Sequence, residues 1–390
     1  NKKLSYGQVC HIASTITAID DPPLKQFNEF KFIGKSLQKI HTTSKTNGKA
    51  VYGIDIRIKG MLFAAVRQSP VFGGKVSSYN EKEAKTVKGV NHIVKIPNGI
   101  AVVANSTWEA QKGLSLLNPK FEGGESIGVN NQTINEAISR NLDEIGKSDD
   151  EYTKSLDVEY QMPYLHHATM EPMNCTAFVQ EDFCEVWVPT QHQTKTQKAI
   201  KEVTGFSDEK IKINTTLMGG AFGRRLEVDF VIQAVTISKI LKKPIQVLFD
   251  REEDTKHGFY RPISTSRFQI QIGTDGLPVK WENQTVQPNL LARSAPPLRW
   301  FDFDPFAVGG SVHDYPVLQK HFYEIENINL KHKGVELGIP IGSWRAPPNS
   351  INVFYIESVI DELAFLSKID PAIYRLRLIK NSQRHRNVLE

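Results

Sequence analysis

A chain of 390 residues is long enough for two or three domains, each with its own buried core. Hydrophobic residues at 40% and charged residues at 23% are ordinary globular usage, which excludes a disordered or collagen-like chain. Lys and Arg number 48 against 43 Asp and Glu, and a net charge of +5 gives no nucleic-acid footprint at this length.

Three cysteines, Cys10, Cys175 and Cys184, lack CxxC spacing, so a disulfide framework, a structural zinc site and an iron–sulfur cluster all lack ligands. No apolar run approaches the roughly 18–20 residues of a membrane span, and the opening Asn-Lys-Lys-Leu-Ser holds no signal-peptide core, so the chain is expected to be soluble. It starts at Asn rather than Met, which suggests a segment upstream.

Residues 1–45 are polar, interrupted at Asp21-Pro22-Pro23, and weakly helical in spacing from Tyr6 to Ala18; they read as an arm packed on other parts. Alternation over Ala50 to Ile58 and Met61 to Gln68, separated by Lys59-Gly60, predicts a hairpin. A short helix from Glu81 to Val87 follows, then strands His92 to Ile96 and Ile100 to Ala104 joined by Asn98-Gly99, where both turn residues are expected at positive φ. A helix from Thr107 to about Leu117 places Ala110, Leu114 and Leu117 on one face. The order ββαββα makes residues 46–122 one α+β domain. Residues 123–155, rich in Gly, Asn, Ser and acids, read as a linker with a loose helix near Ile134 to Leu142.

Beyond the linker, strand Glu185 to Thr190, helix Thr194 to Thr204, strand Lys210 to Thr216, helix Leu226 to Leu241 and strand Pro244 to Asp250 alternate as β-α-β-α-β. Gln191-His192-Gln193 follows the first of these strands and Gly219-Gly220-Ala221-Phe222-Gly223 the second. Both belong at the edge where open α/β sheets hold ligands, which points to one shared site. Asn349 or Ser350 caps a helix with Val353, Ile356, Ile360 and Leu363 on one face, and Asp370-Pro371 starts another.

Three segments have the residue types for chemistry. In MGGAFGRR, Met218 to Arg225, paired glycines let the backbone approach a ligand and amides at a helix start suit anionic oxygens. It is neither a Walker loop nor a GxGxxG fingerprint, and a bare pattern of this kind serves equally as a tight turn. HHATMEPMN, His166 to Asn174, lacks the HExxH arrangement of a zinc site and reads as a buried polar network, with Met170 and Met173 as core filling and Cys175 as a small buried residue rather than a nucleophile. GIPIGSWRAPP, Gly338 to Pro348, is a shaped loop in which Arg345 either holds developing negative charge on a substrate or packs on an aromatic ring.

Taken together, GKAVYGIDIRIKGMLFAAVRQSPVFGGKV (Gly48 to Val76), HHATMEPMNCTA (His166 to Ala177), VPTQHQTKTQ (Val188 to Gln197), MGGAFGRRLEVDF (Met218 to Phe230), FYRP (Phe259 to Pro262) and GSWRAPPNSINVFYIESVIDELA (Gly342 to Ala364) resemble the molybdenum hydroxylase large subunit of the xanthine oxidase superfamily. The resemblance is closest to the isoquinoline 1-oxidoreductase β-subunit branch, with molybdenum-containing aldehyde dehydrogenases near. It covers nearly the whole chain in order.

The resemblance implies a mixed α/β (α+β) fold: a hammerhead-type ββαββα domain, then, over residues 156–390, the first half of a molybdopterin-binding domain. It implies molybdopterin, in the cytosine dinucleotide form, with molybdenum held through the pterin and not by protein side chains. Gln191 then approaches the metal's oxo ligand. Gly219, Gly220, Ala221, Phe222, Gly223 and Arg224 contact the cofactor, Leu226, Trp344 and Arg345 line the substrate pocket, and Arg345 steadies substrate or transition state. The implied reaction is hydroxylation of an N-heterocycle such as isoquinoline or quinoline with water-derived oxygen; an aldehyde is the alternative substrate. Electrons leave through a small [2Fe-2S] subunit, this chain carrying no cluster.

Ala221 stands where the family more usually has glycine, which implies either φ below zero or a turn strained by roughly 1–2 kcal/mol. Leu226 replaces the acid that holds a purine in xanthine-type enzymes, and Pro347-Pro348 is unusual after the Trp-Arg pair. The family's general base, a glutamate, lies in a second half downstream, so the isolated chain is expected to be inactive and to need the C-terminal remainder of the same subunit. Neither a nucleic acid nor a membrane span is expected, and the branch favours a periplasmic over a cytoplasmic location. A cofactor-free binding or scaffold protein with the same fold is the competing reading.

Overall fold

The computed structural model describes residues 3–146, 154–290, 304, 307, 323–347 and 349–390. It divides into two units, Asn1–Ala50 and Val51–Glu390. In the first, Ser5 and Gln8 form a capping box that starts a helix over Tyr6–Ala13, shorter than the spacing predicts. None of its helical residues is buried, and Leu4, Tyr6, Phe27, Phe32 and Ile40 are exposed.

The second unit has strands β1 (Leu62–Gln68), β2 (Lys75–Ser78), β3 (Val90–Ile96), β4 (Gly99–Ala104), β5 (Lys120–Glu122), β6 (Ser155–Met162), β7 (Asn174–Val179), β8 (Cys184–Val188), β9 (Ile211–Thr215), β10 (Ile245–Leu248), β11 (Ser264–Ile272), β12 (Pro278–Gln287) and β13 (Asn327–Gly334). A seven-stranded sheet runs β3-β4-β1-β10-β7-β8-β9, and a four-stranded sheet runs β13-β12-β11-β6. The segments assigned to separate domains by composition share the first sheet, because β1 pairs in parallel with β10.

The hairpin expected over Ala50 to Gln68 does not form. Asp55 accepts the Tyr52 N–H at 3.0 Å and bends Gly53–Asp55 into a 3-10 turn, leaving β1 as the only strand there. Gly53 at this turn is packed closely: a Cβ on it would lie 2.4 Å from Asn174 and 2.6 Å from Pro189.

The β3–β4 hairpin does form, with a different turn. Ile96 pairs with Gly99, so Pro97 and Asn98 are its central residues, and neither Asn98 nor Gly99 has positive φ. Glycine is needed here for contact: a Cβ on Gly99 would lie 2.3 Å from the Arg67 carbonyl oxygen of β1. Ser106 caps the helix Thr107–Leu117 by accepting the Glu109 N–H, and Asn118 ends it at φ 42°.

Within the expected linker, Asn130 caps a full helix, Asn131–Ile145. Its Ile134, Ile138 and Leu142 bury against Val286 of β12, each such burial contributing roughly 1.5–3 kcal/mol. The acidic run Ser148 to Glu151 and Pro348 lie outside the described residues. The helix Asp229–Leu241 starts three residues later than its spacing predicts, because Arg224–Leu226 is a 3-10 turn.

Candidate functional site

Parallel pairing of β8 with β9 brings their C-terminal ends to one edge, with Val188 opposite Thr215. The chain therefore continues from both strands into the same region. After β8, the Gln191 N–H donates to the Arg225 carbonyl at 2.9 Å. The Gln191 side-chain oxygen accepts the Gly223 N–H at 3.1 Å, while the side chain itself is exposed.

In the loop Met218–Arg225 every carbonyl from Gly219 to Gly223 is taken by the protein. Gly219 accepts from the Glu171 N–H at 3.0 Å, Ala221 from Arg224 at 2.8 Å, Phe222 from Arg345 at 2.9 Å and Gly223 from Leu226 at 3.2 Å. The Gly220 carbonyl accepts Arg225 Nε at 2.8 Å. The N–H groups of Gly220, Ala221 and Phe222 have no acceptor among the described residues. The loop turns its acceptors inward and leaves three successive donors outward, the arrangement of an anion-binding nest. Left-handed backbone at Gly220 (φ 102°), Phe222 (φ 51°) and Gly223 (φ 101°) produces it. Ala221 is not among the positive-φ residues, so the strain expected there falls on its neighbour Phe222.

Two arginines support the loop from beneath, both fully buried. Arg224, expected to touch a cofactor, cannot reach the exposed face. Its guanidinium is locked in a bidentate pair with Asp229 at 2.8 and 2.7 Å and lies 5.4 Å from the Phe259 ring centroid. Arg225 donates to the Glu171 carbonyl at 2.8 Å and to its carboxylate at 3.1 Å. Burial lowers the Arg225 pKa to about 10, partly opposed by Glu171, so the cation persists at neutral pH. Sequence reasoning placed Glu171 in a polar network and missed Arg225; the partners that define them lie 117 and 54 positions apart.

The third segment closes on the second. A Cβ on Gly223 would lie 1.6 Å from the Ser343 carbonyl oxygen and 3.3 Å from His167 Nε2, so glycine is required at this contact. Arg345 is exposed, and among the described residues it is anchored through its backbone. The ring-packing role weighed for it belongs to Arg261, whose guanidinium lies 5.8 Å from the Trp344 ring centroid. Trp344 Nε1 donates to the His166 carbonyl at 3.3 Å, and Leu226 is half-buried.

His167 is buried behind both loops, and its pKa falls to about 4 through burial, then Arg224 and His166, opposed by the Ser343 backbone and Asp254. Met173 is fully buried as expected, but Met170 is 85% exposed, at a turn whose carbonyl accepts Arg251. The Cys175 thiol is pushed well up by burial and by Cys184. Among the described residues no group of three or more His, Cys, Asp and Glu side chains could hold a metal ion, and no helix is long and apolar enough to cross a membrane. A cleft of ≈ 940 Å³ lined by Lys331 to Ile341 includes none of Gln191, Phe222 and Arg345.

Residues 131–286 match the family model of the molybdopterin cofactor-binding domain. The chain is 28% identical to isoquinoline 1-oxidoreductase subunit beta of Brevundimonas diminuta, over 93% of this chain and 48% of that protein. It is 27% identical to the membrane-bound aldehyde dehydrogenase (pyrroloquinoline-quinone) of Gluconacetobacter polyoxogenes, over 99% of this chain and 53% of that protein. The family model and these relatives support a partial large subunit of the xanthine oxidase family of molybdenum hydroxylases.

Its mixed α/β fold matches quinoline 2-oxidoreductase from Pseudomonas putida 86 with a TM-score of 0.67 at 16% identity, over 89% of this chain and 50% of that one. Aldehyde oxidoreductase from Desulfovibrio desulfuricans ATCC 27774 gives 0.69 at 14% identity, over 89% and 44%. The chain spans about half the length of the curated relatives it matches. The residues present fit a molybdopterin: three backbone donors without an acceptor among the described residues stand beside an exposed amide side chain, over a buried network of arginines paired with carboxylates.

Proposed function

We propose that this chain forms one wall of the molybdopterin site in an oxidoreductase that hydroxylates N-heterocycles of the isoquinoline and quinoline class. The observation that carries the reading is the convergence of three distant segments: Gly223 N–H on Gln191 at 3.1 Å and Arg345 N–H on Phe222 at 2.9 Å. When bound, the cofactor supplies a two-electron oxidation with water-derived oxygen, the electrons passing to a small [2Fe-2S] subunit.

The residues here bind and orient. The amides of Gly220, Ala221 and Phe222 donate to the cofactor's anionic oxygens without reorganisation, because their carbonyls are already committed. The Gln191 amide is held by Gly223 and keeps its N–H₂ for the cofactor. Arg345 presents a cation on the same face, where it meets negative charge developing on the substrate. Trp344, held by His166 and Arg261, and the apolar Leu226 supply pocket walls without an acid for a purine.

The full-length subunit, co-expressed with its small subunit, tests this reading. Stoichiometric molybdenum with bound pterin and dye-coupled turnover of quinolines is the expected result. Neither metal nor pterin, under conditions that load a control hydroxylase, would overturn it in favour of a cofactor-free binding protein. An aldehyde oxidoreductase is the second reading, favoured by the aldehyde dehydrogenase relative matched over 99% of this chain; preferential turnover of aldehydes would select it.

A further inference from the structure

We propose that Glu171 is a positioning residue that sets the direction of the Met218–Arg225 backbone and thereby presents its amides to the cofactor. The inference rests on the reading of this face as a molybdopterin site. Glu171 is 7% exposed, and its carboxylate accepts four hydrogen bonds from three separate parts of the chain. One oxygen takes the Ile54 N–H at 3.0 Å and Asn174 Nδ2 at 2.9 Å. The other takes the Gly219 N–H at 2.8 Å and the Arg225 guanidinium at 3.1 Å. Four donors saturate a carboxylate's acceptor capacity, so nothing of it remains for a ligand.

The effect falls on the loop. Gly219 and Glu171 are bonded twice, the Glu171 N–H reaching the Gly219 carbonyl at 3.0 Å while the Gly219 N–H reaches the carboxylate. Arg225, held by the same carboxylate, turns the next carbonyl, that of Gly220, inward at 2.8 Å. With two successive carbonyls fixed inward, the following N–H groups face outward. No side chain fits between the two residues, since a Cβ on Gly219 would lie 2.5 Å from the Glu171 Cβ. A buried ion pair serving stability alone needs neither contact with the loop backbone.

The test uses the full-length subunit with its small subunit, carrying Glu171→Gln. Glutamine keeps the shape but faces two of the four donors with an N–H₂ group. Bound pterin is measured by fluorescence after oxidative release, and amide exchange of the 216–226 peptide by mass spectrometry. The expected result is a fall in pterin retention on the order of 10–100-fold, as for other groups that orient a ligand-holding shell, with faster exchange confined to that peptide. Glu171→Asp, which keeps both acceptor oxygens, is expected to restore part of the retention.

Wild-type pterin content together with wild-type exchange in Glu171→Gln would overturn the proposal. Should Glu171→Gln fail to fold, Gly219→Ala decides: its Cβ forces the loop away from Glu171 at the same N–H, so lost pterin with faster exchange of 216–226 supports the inference and retained pterin overturns it. A wild-type subunit that never carries pterin would instead defeat the reading of the site, and the exchange of 216–226 would still decide whether Glu171 sets the loop.

Discussion

The loops Met218–Arg225 and Gly338–Pro347 meet at Gly223 and Ser343, yet they are held in opposite ways. The first rests on buried charge: Arg225 on Glu171 and Arg224 on Asp229, with both guanidinium groups out of solvent. The second rests on backbone bonds, Gly342 N–H to the Tyr260 carbonyl at 2.8 Å and Tyr260 N–H to that of Pro340 at 3.0 Å, and its own cation, Arg345, is exposed. One loop therefore presents backbone donors fixed by interior side chains, and the other presents a side chain fixed by its backbone. Arginines with the same charge thus differ in kind: the buried ones shape the wall, and the exposed one is available to a ligand.

Arg225→Met breaks the comparison hardest. It leaves Glu171 buried without its cation, and the expected loss in urea unfolding is about 3–5 kcal/mol. Should Arg225→Met unfold at the wild-type urea midpoint, the charge-built account of the first loop is wrong.

His167, behind both loops, gives a pH signature. It stays neutral in the fold down to about pH 4, whereas in the unfolded chain the imidazole takes up this proton near its ordinary 6.5. Between these values the unfolded state binds more protons, so stability is whole above about pH 6.5, falls as pH drops, and levels off below about 4. The expected contribution is up to about 3 kcal/mol. Unfolding measured from pH 7 to 4 should lose that part of its slope in His167→Gln.

Arg345→Ala sharpens the contrast from the other side. In the complete enzyme it should lower kcat/KM on the order of 100-fold, with stability unchanged within about 0.5 kcal/mol because the side chain is exposed. Wild-type turnover would remove Arg345 from the chemistry. The smallest effect is expected from Ala346→Gly. Ala346 sits at φ 55°, and glycine should relieve left-handed strain for a gain of about 1 kcal/mol or less, read as a raised Tm.

What could be read from the sequence follows the range of the interaction. Helix Thr107–Leu117 was legible because its cap and apolar stripe lie within one segment, and the meeting of Gln191 with Phe222-Gly223 because parallel strands hand over at one edge. The Ala50 to Ile58 stretch misled because Asp55 turns the chain back on Tyr52 and Gly53 packs on Asn174 and Pro189, far along the chain. Met170 misled because residue type alone does not say which side of a turn is buried. The work of Glu171 was invisible locally, since Ile54, Gly219 and Arg225 converge on it only after folding. Glycines needed a finer reading still: Gly99 and Gly219 serve contact, whereas Gly220 serves φ.

The Phe222 carbonyl and the Gly223 N–H belong to a single peptide unit, which is rigid and flat. Arg345 grips one end of that plate and Gln191 the other. Tilting the plate carries both anchors with it, so the register between the exposed Arg345 cation and the glutamine amide is set by one amide plane, as two pans are set by a common beam.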